Sequence, residues 1–262
     1  MPDNSNPSRG ARQFSGKPVL ITGGAGGVGF ACAQAFAALG ANLLLTGRTE
    51  SSLQSACKRL EKDYPIEAHS ACGDVTDSHF AEHCLQLSHS LFKKPAYALI
   101  NNAGIIVREP ATNTTDDAWH SVMNTNVTGL FYFSRAFARD GEDGGTIVNI
   151  SSTCGQVGSA GLAAYCASKG AVNQLTRTMA LELTARRITV NAVAPGAIDA
   201  PMLFSNHASP GLADTVVDRN KASIPVGEVA SPEEVARAVV YVATETHMTG
   251  SILSIDGGYT AA

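Results

Sequence analysis

The sequence is poor in charge of either sign, and it contains no long apolar run. Asp, Glu, Lys and Arg make up 16% of the 262 residues, and the formal net charge at pH 7 is −4. The absence of a basic run argues against nucleic acid as a partner. No stretch approaches the roughly 20 apolar residues that a membrane-spanning helix requires. We therefore expect neither nucleic-acid binding nor membrane insertion.

Paired cysteine motifs are also missing. The six cysteines show no CxxC spacing, which is typical of free thiols in the reducing cytoplasm. His79 and His83 lie at helical spacing with Cys84 beside them, but no third ligand motif accompanies them, and we predict no metal site. Residues 1–15 are polar and lack the apolar core of a signal peptide, which predicts a disordered N-terminal tail. Residues 16–262 show no linker and no repeat and are predicted to form one domain.

Small and apolar residues are abundant, and short apolar runs alternate with longer amphipathic segments. Near-continuous apolar runs indicate parallel strands covered on both faces: 19–22, 43–46, 68–72, 96–100, 146–150, 189–193 and 252–255. Helical periodicity predicts helices over 28–39, 50–64, 77–91, 116–139, 162–186 and 232–243, with N-caps at Asp77, Thr115 and Ser231.

This alternation predicts the fold class α/β, a single Rossmann-like, doubly wound parallel sheet of about seven strands flanked by helices. Residues 200–225 interrupt the pattern with a long irregular stretch, which we interpret as a substrate-binding loop or lid.

A glycine-rich turn follows the first predicted strand and precedes the first helix. Glycines allow the backbone to approach a pyrophosphate, and the helix N-terminus offers free N–H groups. A glycine-rich turn without ligand has the same composition, but its position between strand and helix favours a nucleotide site. The predicted contacts are Thr22, Gly23, Gly27, Val28 and Gly29.

The end of the second predicted strand bears on cofactor choice. A carboxylate there would bind the ribose hydroxyls of NAD, but Gly47 occupies the position. Arg48 follows, and its guanidinium can pair with a 2′-phosphate. This favours NADP(H) over NAD(H), although Arg48 could instead be an ordinary surface residue.

Tyr165 and Lys169 lie one turn apart on one face of a predicted helix. A nearby ammonium stabilises a phenolate and lowers the pKa of a tyrosine toward the range of acid–base catalysis. Ser151 and Ser152 follow the fifth predicted strand, where open α/β sheets bind ligands. A serine hydroxyl there can donate to a substrate carbonyl oxygen or can cap a turn.

Together these motifs resemble the short-chain dehydrogenase/reductase family, over essentially the whole chain after residue 15. Further matching motifs, in the family's order, are Asp74-Val75, Asn101-Asn102-Ala103-Gly104, Asn126, Pro195-Gly196 and Asp256-Gly257-Gly258. The resemblance implies an NAD(P)-dependent oxidoreductase that interconverts a ketone and a secondary alcohol. It also implies a homotetramer or homodimer in which the helices predicted at 116–139 and 162–186 pair between subunits.

The resemblance further implies roles for individual residues. Tyr165 is the general acid for ketone reduction, and Ser152 holds the carbonyl oxygen. Lys169 binds the nicotinamide ribose and lowers the pKa of Tyr165. Asn126 holds a water that links Lys169 to solvent, or it merely satisfies buried backbone groups. The remaining implied cofactor contacts are Asp74, Val75, Asn101, Ala103, Gly104, Pro195, Gly196 and Ile198.

Two positions depart from the family's pattern. Ala200 stands where a threonine usually contacts the nicotinamide amide, and its loss removes one hydrogen bond worth about 1 kcal/mol. Gly26 stands where NADP-preferring members often carry a basic residue, which weakens the argument from Arg48.

The predicted substrate contacts are mostly apolar and contain no arginine cluster. They are Cys154, Gln156, Leu203, Phe204 and His207. This set predicts a neutral ketone or alcohol of moderate size. One alternative is a 3-oxoacyl-(acyl carrier protein) reductase, with Arg186 as a candidate contact for the carrier. A second is a non-catalytic nucleotide-binding regulatory protein, against which the complete set of Ser152, Tyr165 and Lys169 argues.

Overall fold

A seven-stranded parallel sheet forms the centre of the computed structural model, which describes residues 13–204 and 221–261, with the side chain of Phe204 excepted. The strands are β1 (Pro18–Thr22), β2 (Asn42–Gly47), β3 (Ala68–Cys72), β4 (Ala98–Asn101), β5 (Thr146–Ile150), β6 (Thr189–Pro195) and β7 (Ile252–Ile255). Their spatial order is β3-β2-β1-β4-β5-β6-β7. The direction of winding therefore reverses between β1 and β4. The predicted doubly wound parallel sheet is confirmed.

Helices cover both faces of the sheet. They are α1 (Gly27–Ala38), α2 (Glu50–Asp63), α3 (Ser78–Phe92), α4 (Asp116–Met123), α5 (Leu130–Asp140), α6 (Ala163–Glu182), α7 (Pro201–Phe204) and α8 (Pro232–Thr244). One apolar layer joins α1, α2 and α8 to the sheet and includes Phe36 and Val239. The other joins α3, α5 and α6 and includes Phe133 and Met179. Burial of these two layers fixes the strand ends that form the site.

The predicted N-caps are confirmed. Asp77 accepts a hydrogen bond from the His79 amide at 2.9 Å, and Thr115 accepts one from the Ala118 amide at 3.1 Å. Ser231 forms a capping box that opens α8. Over the described residues, no helix combines the length and the apolarity needed to cross a membrane.

The long helix predicted over 116–139 is wrong in its middle. A π-helical segment, Asn124–Gly129, separates α4 from α5. Gly129 packs so closely on Val75 that an added Cβ would lie 2.9 Å from Cγ2 of Val75. Hydrophobic periodicity does not register one extra residue in a turn, so the sequence pattern could not reveal this segment. The helix predicted over 162–186 likewise ends earlier, at Glu182.

The N-terminal boundary also needs correction. Phe14 falls in the predicted tail, yet its side chain is only 2% exposed. Its ring centroid lies 4.9 Å from that of Phe36 and 5.6 Å from that of Tyr97. The packed domain therefore includes Phe14. The sequence pattern could not show this, because a single buried aromatic in a polar stretch leaves no periodic signal. Residues 1–12, and 205–220 of the predicted lid, lie outside the described residues.

Candidate active site

A cleft of about 1100 Å³ opens beyond the carboxyl ends of the strands, beside the switch point between β1 and β4. Open α/β sheets bind their ligands at this place. Many of the predicted site residues line the cleft: Gly23, Gly27, Val28, Arg48, Ala103, Gly104, Ser152, Cys154, Tyr165, Lys169, Pro195, Gly196, Ile198 and Leu203. Predicted nucleotide contacts and predicted catalytic residues thus share one cavity.

Other predicted site residues lie outside the lining of this cleft. They are Thr22, Gly29, Asp74, Val75, Asn101, Asn126 and Gln156. The side chain of Phe204 and all of His207 lie outside the described residues.

The glycine-rich turn leaves no space for side chains at its narrowest point. A Cβ on Gly29 would lie 2.1 Å from the carbonyl oxygen of Gly23, which itself has φ +64°. The first turn of α1 contains no acidic residue, and its N-cap, Gly26, makes no side-chain cap. The free N–H groups and the positive dipole end at the start of α1 therefore fit the pyrophosphate of a dinucleotide.

Thr22 and Asn102 hold the glycine-rich turn against the end of β4. The Thr22 hydroxyl accepts hydrogen bonds from the amides of Asn102 and Ala103, each at 3.0 Å. The side-chain Nδ2 of Asn102 donates to the carbonyl oxygens of Thr22 at 3.0 Å and Gly23 at 3.1 Å. Thr22 therefore supports the turn from beneath, together with Asn102, whose role the sequence analysis missed.

Three further predicted cofactor residues have protein partners beside the cleft. Asn101 is buried and donates to Ser134 Oγ at 2.9 Å. Asp74 accepts from the backbone and the hydroxyl of Thr76, both at 2.9 Å. Val75 packs on Gly129. Their contacts with a cofactor stay predictions.

Ser152 and Tyr165 both line the cleft. Ser152 caps the 3-10 turn Thr153–Gly155, and its Oγ accepts from the Cys154 amide at 3.2 Å. Burial raises the pKa of Tyr165 above its ordinary value of 10.0. The largest opposing contributions come from the hydrogen bond with Ser152 and the positive charge of Arg108. The tyrosine is therefore protonated at neutral pH in the cofactor-free protein.

Lys169 lies behind the tyrosine on α6. Its Nζ donates to the Ile150 carbonyl oxygen at 2.7 Å and lies 5.6 Å from the centroid of the Tyr165 ring. Burial lowers the pKa of Lys169 to about 8. An ammonium with one strong acceptor and a lowered pKa is suited to exchange a proton near neutral pH.

Asn126, in the π-helical segment, binds the backbone of Ile105 with both ends of its amide. Oδ1 accepts from the Ile105 amide at 2.8 Å, and Nδ2 donates to the Ile105 carbonyl at 2.9 Å and to Ser168 Oγ at 3.0 Å. A Cβ on Gly104 would lie 3.2 Å from Asn126 Oδ1 and 3.8 Å from Lys169 Nζ. Asn126 thus satisfies buried backbone next to the lysine, and its part in a proton relay stays a prediction.

Of the predicted substrate contacts, Cys154 and Leu203 line the cleft, whereas Gln156 lies outside its lining. The Gln156 Nε2 donates to Ser254 Oγ on β7 at 3.1 Å, and a contact of this residue with a substrate stays a prediction. Arg108 also lines the cleft, although no motif in the sequence marks it, and its Nη2 donates to the carbonyl oxygens of Met202 and Leu203. It stands in an irregular loop, where no periodic signal marks it.

Arg186 lies just before β6, at the amino edge of the sheet, and is therefore remote from the cleft. Its Nε donates to Asp143 Oδ1 at 2.6 Å, and its Nη2 donates to the Gly141 carbonyl at 2.7 Å. This placement contradicts the proposed carrier contact at the site mouth. His79 is exposed whereas Cys84 is buried, and no cluster of three metal-ligating side chains occurs within residues 13–204 and 221–261.

Comparison with known proteins gives matches along nearly the whole chain. The sequence model of the family described as enoyl-(acyl carrier protein) reductase matches residues 23–260. The galactitol 2-dehydrogenase (L-tagatose-forming) of Cereibacter sphaeroides is 35% identical, over 95% of this chain and 96% of that protein. The 3-oxoacyl-(acyl-carrier-protein) reductase of Thermotoga maritima is 32% identical, over 94% and 98%.

Solved structures agree with these matches. A short-chain dehydrogenase/reductase from Serratia marcescens superposes with a TM-score of 0.86 at 30% identity and covers 95% of this chain and 100% of its own. A glucose/ribitol dehydrogenase of the same class from Brucella melitensis gives 0.86 at 28% identity, over 94% and 98%.

Proposed function

The chain belongs to the short-chain dehydrogenase/reductase family and is an oxidoreductase acting on CH–OH and C=O groups, and on that premise we propose that Tyr165 transfers the proton and that NADP(H) is the preferred cofactor. The observation that carries this proposal is the convergence of Ser152, Tyr165 and Lys169 in the cleft bounded by the glycine-rich turn. The fold positions the turn after β1 and the serine after β5, so cofactor and substrate meet between them.

The proposed chemistry is a hydride and a proton added to a ketone. A bound nicotinamide cofactor supplies the hydride to the carbonyl carbon or accepts it from an alcohol. The Ser152 hydroxyl donates a hydrogen bond to the carbonyl oxygen, and Tyr165 gives its proton to that oxygen. Lys169 then supplies a proton that restores the Tyr165 hydroxyl, and the pKa of Lys169 of about 8 suits that exchange.

Arg48 supports the preference for NADP(H). It is exposed at the rim of the cleft, next to Gly47, and forms no ion pair with any of the described carboxylates. We expect Arg48→Ala to weaken NADPH binding roughly 10-fold or more while NADH binding changes little. Fluorescence titration with both cofactors measures this, with exposed Lys58→Ala on α2 as the matched control. Equal losses for both cofactors would contradict the assignment.

A homotetramer or homodimer is also part of the proposal. Exposed apolar side chains on α4, α5 and α6 support it: Trp119, Phe131 and Leu181 are 39%, 37% and 80% exposed. Such residues are typical of helix faces buried between subunits. The six free thiols favour a reducing compartment, and we place the protein in the cytoplasm.

The main test is steady-state oxidation of NADPH and NADH with ketones, diketones and a 3-oxoacyl thioester. A higher kcat/KM for a simple ketone supports the general reductase. A higher kcat/KM for the thioester supports the second candidate, a 3-oxoacyl-carrier reductase, which relatives of that name favour. No turnover with any carbonyl would leave a non-catalytic nucleotide-binding protein.

A further inference from the structure

Arg108 brings an unmatched positive charge to the substrate end of the cleft. It stands in the loop between β4 and α4 and lines the cavity together with Cys154 and Tyr165. It is close enough for its charge to lower the pKa of both groups against the rise caused by burial. The guanidinium therefore acts on the place where the reacting carbonyl would lie.

Most hydrogen-bonding capacity of Arg108 is unused among the described residues. Its two hydrogen bonds both use Nη2, which donates to the carbonyl oxygens of Met202 at 3.4 Å and Leu203 at 3.5 Å. Both distances lie beyond the usual range for N–H···O bonds. Its Nε is buried and has no partner. A guanidinium has five donors, and Nη1 makes no hydrogen bond with the described residues, so an acceptor on a ligand would pair with donors that the protein leaves unused.

No carboxylate among the described residues neutralises this charge. Glu109 is next in sequence and also lines the cleft, but it forms no ion pair with Arg108. The other lining cations are separately placed: Lys169 binds the Ile150 carbonyl, and Arg48 lies at the rim by the end of β2. A partly buried charge without a counter-charge is costly, and an anionic ligand removes that cost.

We propose that Arg108 binds an oxyanion of the substrate, so that the preferred substrate is a ketone or secondary alcohol carrying a carboxylate or a phosphate. This deepens the proposed function and rests on it. It replaces the neutral substrate expected from the sequence, because the planar fork of Arg108 matches an oxyanion with two parallel hydrogen bonds. The reaction at the carbonyl is unchanged, since Arg108 orients the substrate and takes no part in proton transfer.

The test compares substrates of similar size that carry either an oxyanion or a neutral ester. An oxo acid, its methyl ester and a phosphorylated ketone of similar size are assayed by kcat/KM in the wild type, Arg108→Gln and Arg108→Lys. We expect the wild type to favour at least one anionic substrate over the neutral ester about 10- to 100-fold. The carboxylate and phosphate arms identify which oxyanion is bound.

Arg108→Gln keeps a polar side chain at this position but loses the charge and the planar fork. We expect it to abolish the preference for the anion, chiefly through KM, so that kcat/KM falls at least about 10-fold more for the anion than for the ester. Arg108→Lys, which keeps the charge without the fork, should retain part of the preference. Exposed Lys58→Gln on α2 is the control and should leave the ratio unchanged.

Two results would overturn this inference and leave the proposed function intact. One is a wild type that reduces the ester as well as both anions. The other is an Arg108→Gln variant that loses activity equally on charged and neutral substrates. Arg108 would then have only a structural role, through its hydrogen bonds to α7. Failure to reduce any carbonyl would instead contradict the proposed function itself.

Discussion

At the scale of single residues, Ser151 and Ser152 are sequence neighbours with opposite surroundings. Ser151 Oγ donates to Asn173 Oδ1 at 2.6 Å, and Asn173 in turn donates to the Gly155 carbonyl. Ser152 Oγ caps the same turn by accepting from the Cys154 amide at 3.2 Å, a contact that leaves its hydroxyl proton unused. We therefore expect Ser151 to serve the turn alone, and Ser152 to serve both the turn and the substrate.

This difference predicts separable effects of two alanine substitutions. Ser152→Ala should lower kcat/KM roughly 100- to 1,000-fold, because it removes the proposed donor to the carbonyl oxygen, and it should cost only about 1 kcal/mol of stability through the lost turn cap. Ser151→Ala should cost about 1–3 kcal/mol of unfolding free energy, because it leaves a buried amide oxygen unpaired, while most turnover remains. Kinetics and denaturant unfolding on both variants check this, and interchanged effects would refute the assignment.

Lys169 predicts a pH dependence of stability. The folded protein holds its pKa at about 8, below the ordinary 10.5. Between these pH values the unfolded chain binds more protons than the folded protein. The buried lysine therefore destabilises the folded state fully below about pH 8, and this destabilisation fades as the pH rises to about 10.5. Lys169→Met removes the penalty. We therefore compare the free energy of unfolding of Lys169→Met with that of wild type at each pH. The variant's value minus the wild-type value should be about 2–3 kcal/mol larger near pH 7 than near pH 10.

The measurement is thermal or urea unfolding of the cofactor-free protein at both pH values. Lys58→Met, on the exposed face of α2, is the control and should show no such pH dependence. A difference between Lys169→Met and wild type that does not change with pH would contradict the buried, partly neutral lysine.

At the scale of elements, the glycine-rich turn is the part whose geometry tolerates least change. We expect Gly29→Ala to weaken cofactor binding at least about 10-fold and to lower the melting temperature, because the new Cβ would meet the Gly23 carbonyl. Gly26→Ala is the matched control, since a Cβ there meets nothing within 4 Å. Titration with reduced cofactor and a thermal melt distinguish them, and equal behaviour would contradict the close approach.

The elements also show why the sequence predicts strands better than irregular segments. The residues of β1 to β7 are buried or partly buried, apart from exposed Cys72 at the end of β3, and each strand was visible as a pattern. The π-helical segment Asn124–Gly129 left no such pattern, because hydrophobic periodicity does not mark a residue added to a helical turn. Arg108 was not identified from the sequence for a related reason: its partners at the start of α7 are distant in sequence.

At the scale of the whole molecule, one topological feature unites cofactor and substrate chemistry. The reversal of strand order between β1 and β4 opens the cleft, and the carboxyl ends of neighbouring strands deliver the turn, the serine and the loop of Arg108 to it. The family resemblance identified most of these residues before the structure did. It could not supply the charge of the substrate end, which depends on how an irregular loop packs against α7.

The most direct test of the account compares wild type with Tyr165→Phe in the oxidation of reduced cofactor by a ketone that the wild type accepts. Loss of one hydroxyl removes the proton donor and leaves the glycine-rich turn intact. The account predicts that kcat falls about 100- to 10,000-fold while the cofactor Kd stays within about twofold. A variant that retains turnover, or one that loses cofactor binding and activity together, would contradict Tyr165 as the proton donor.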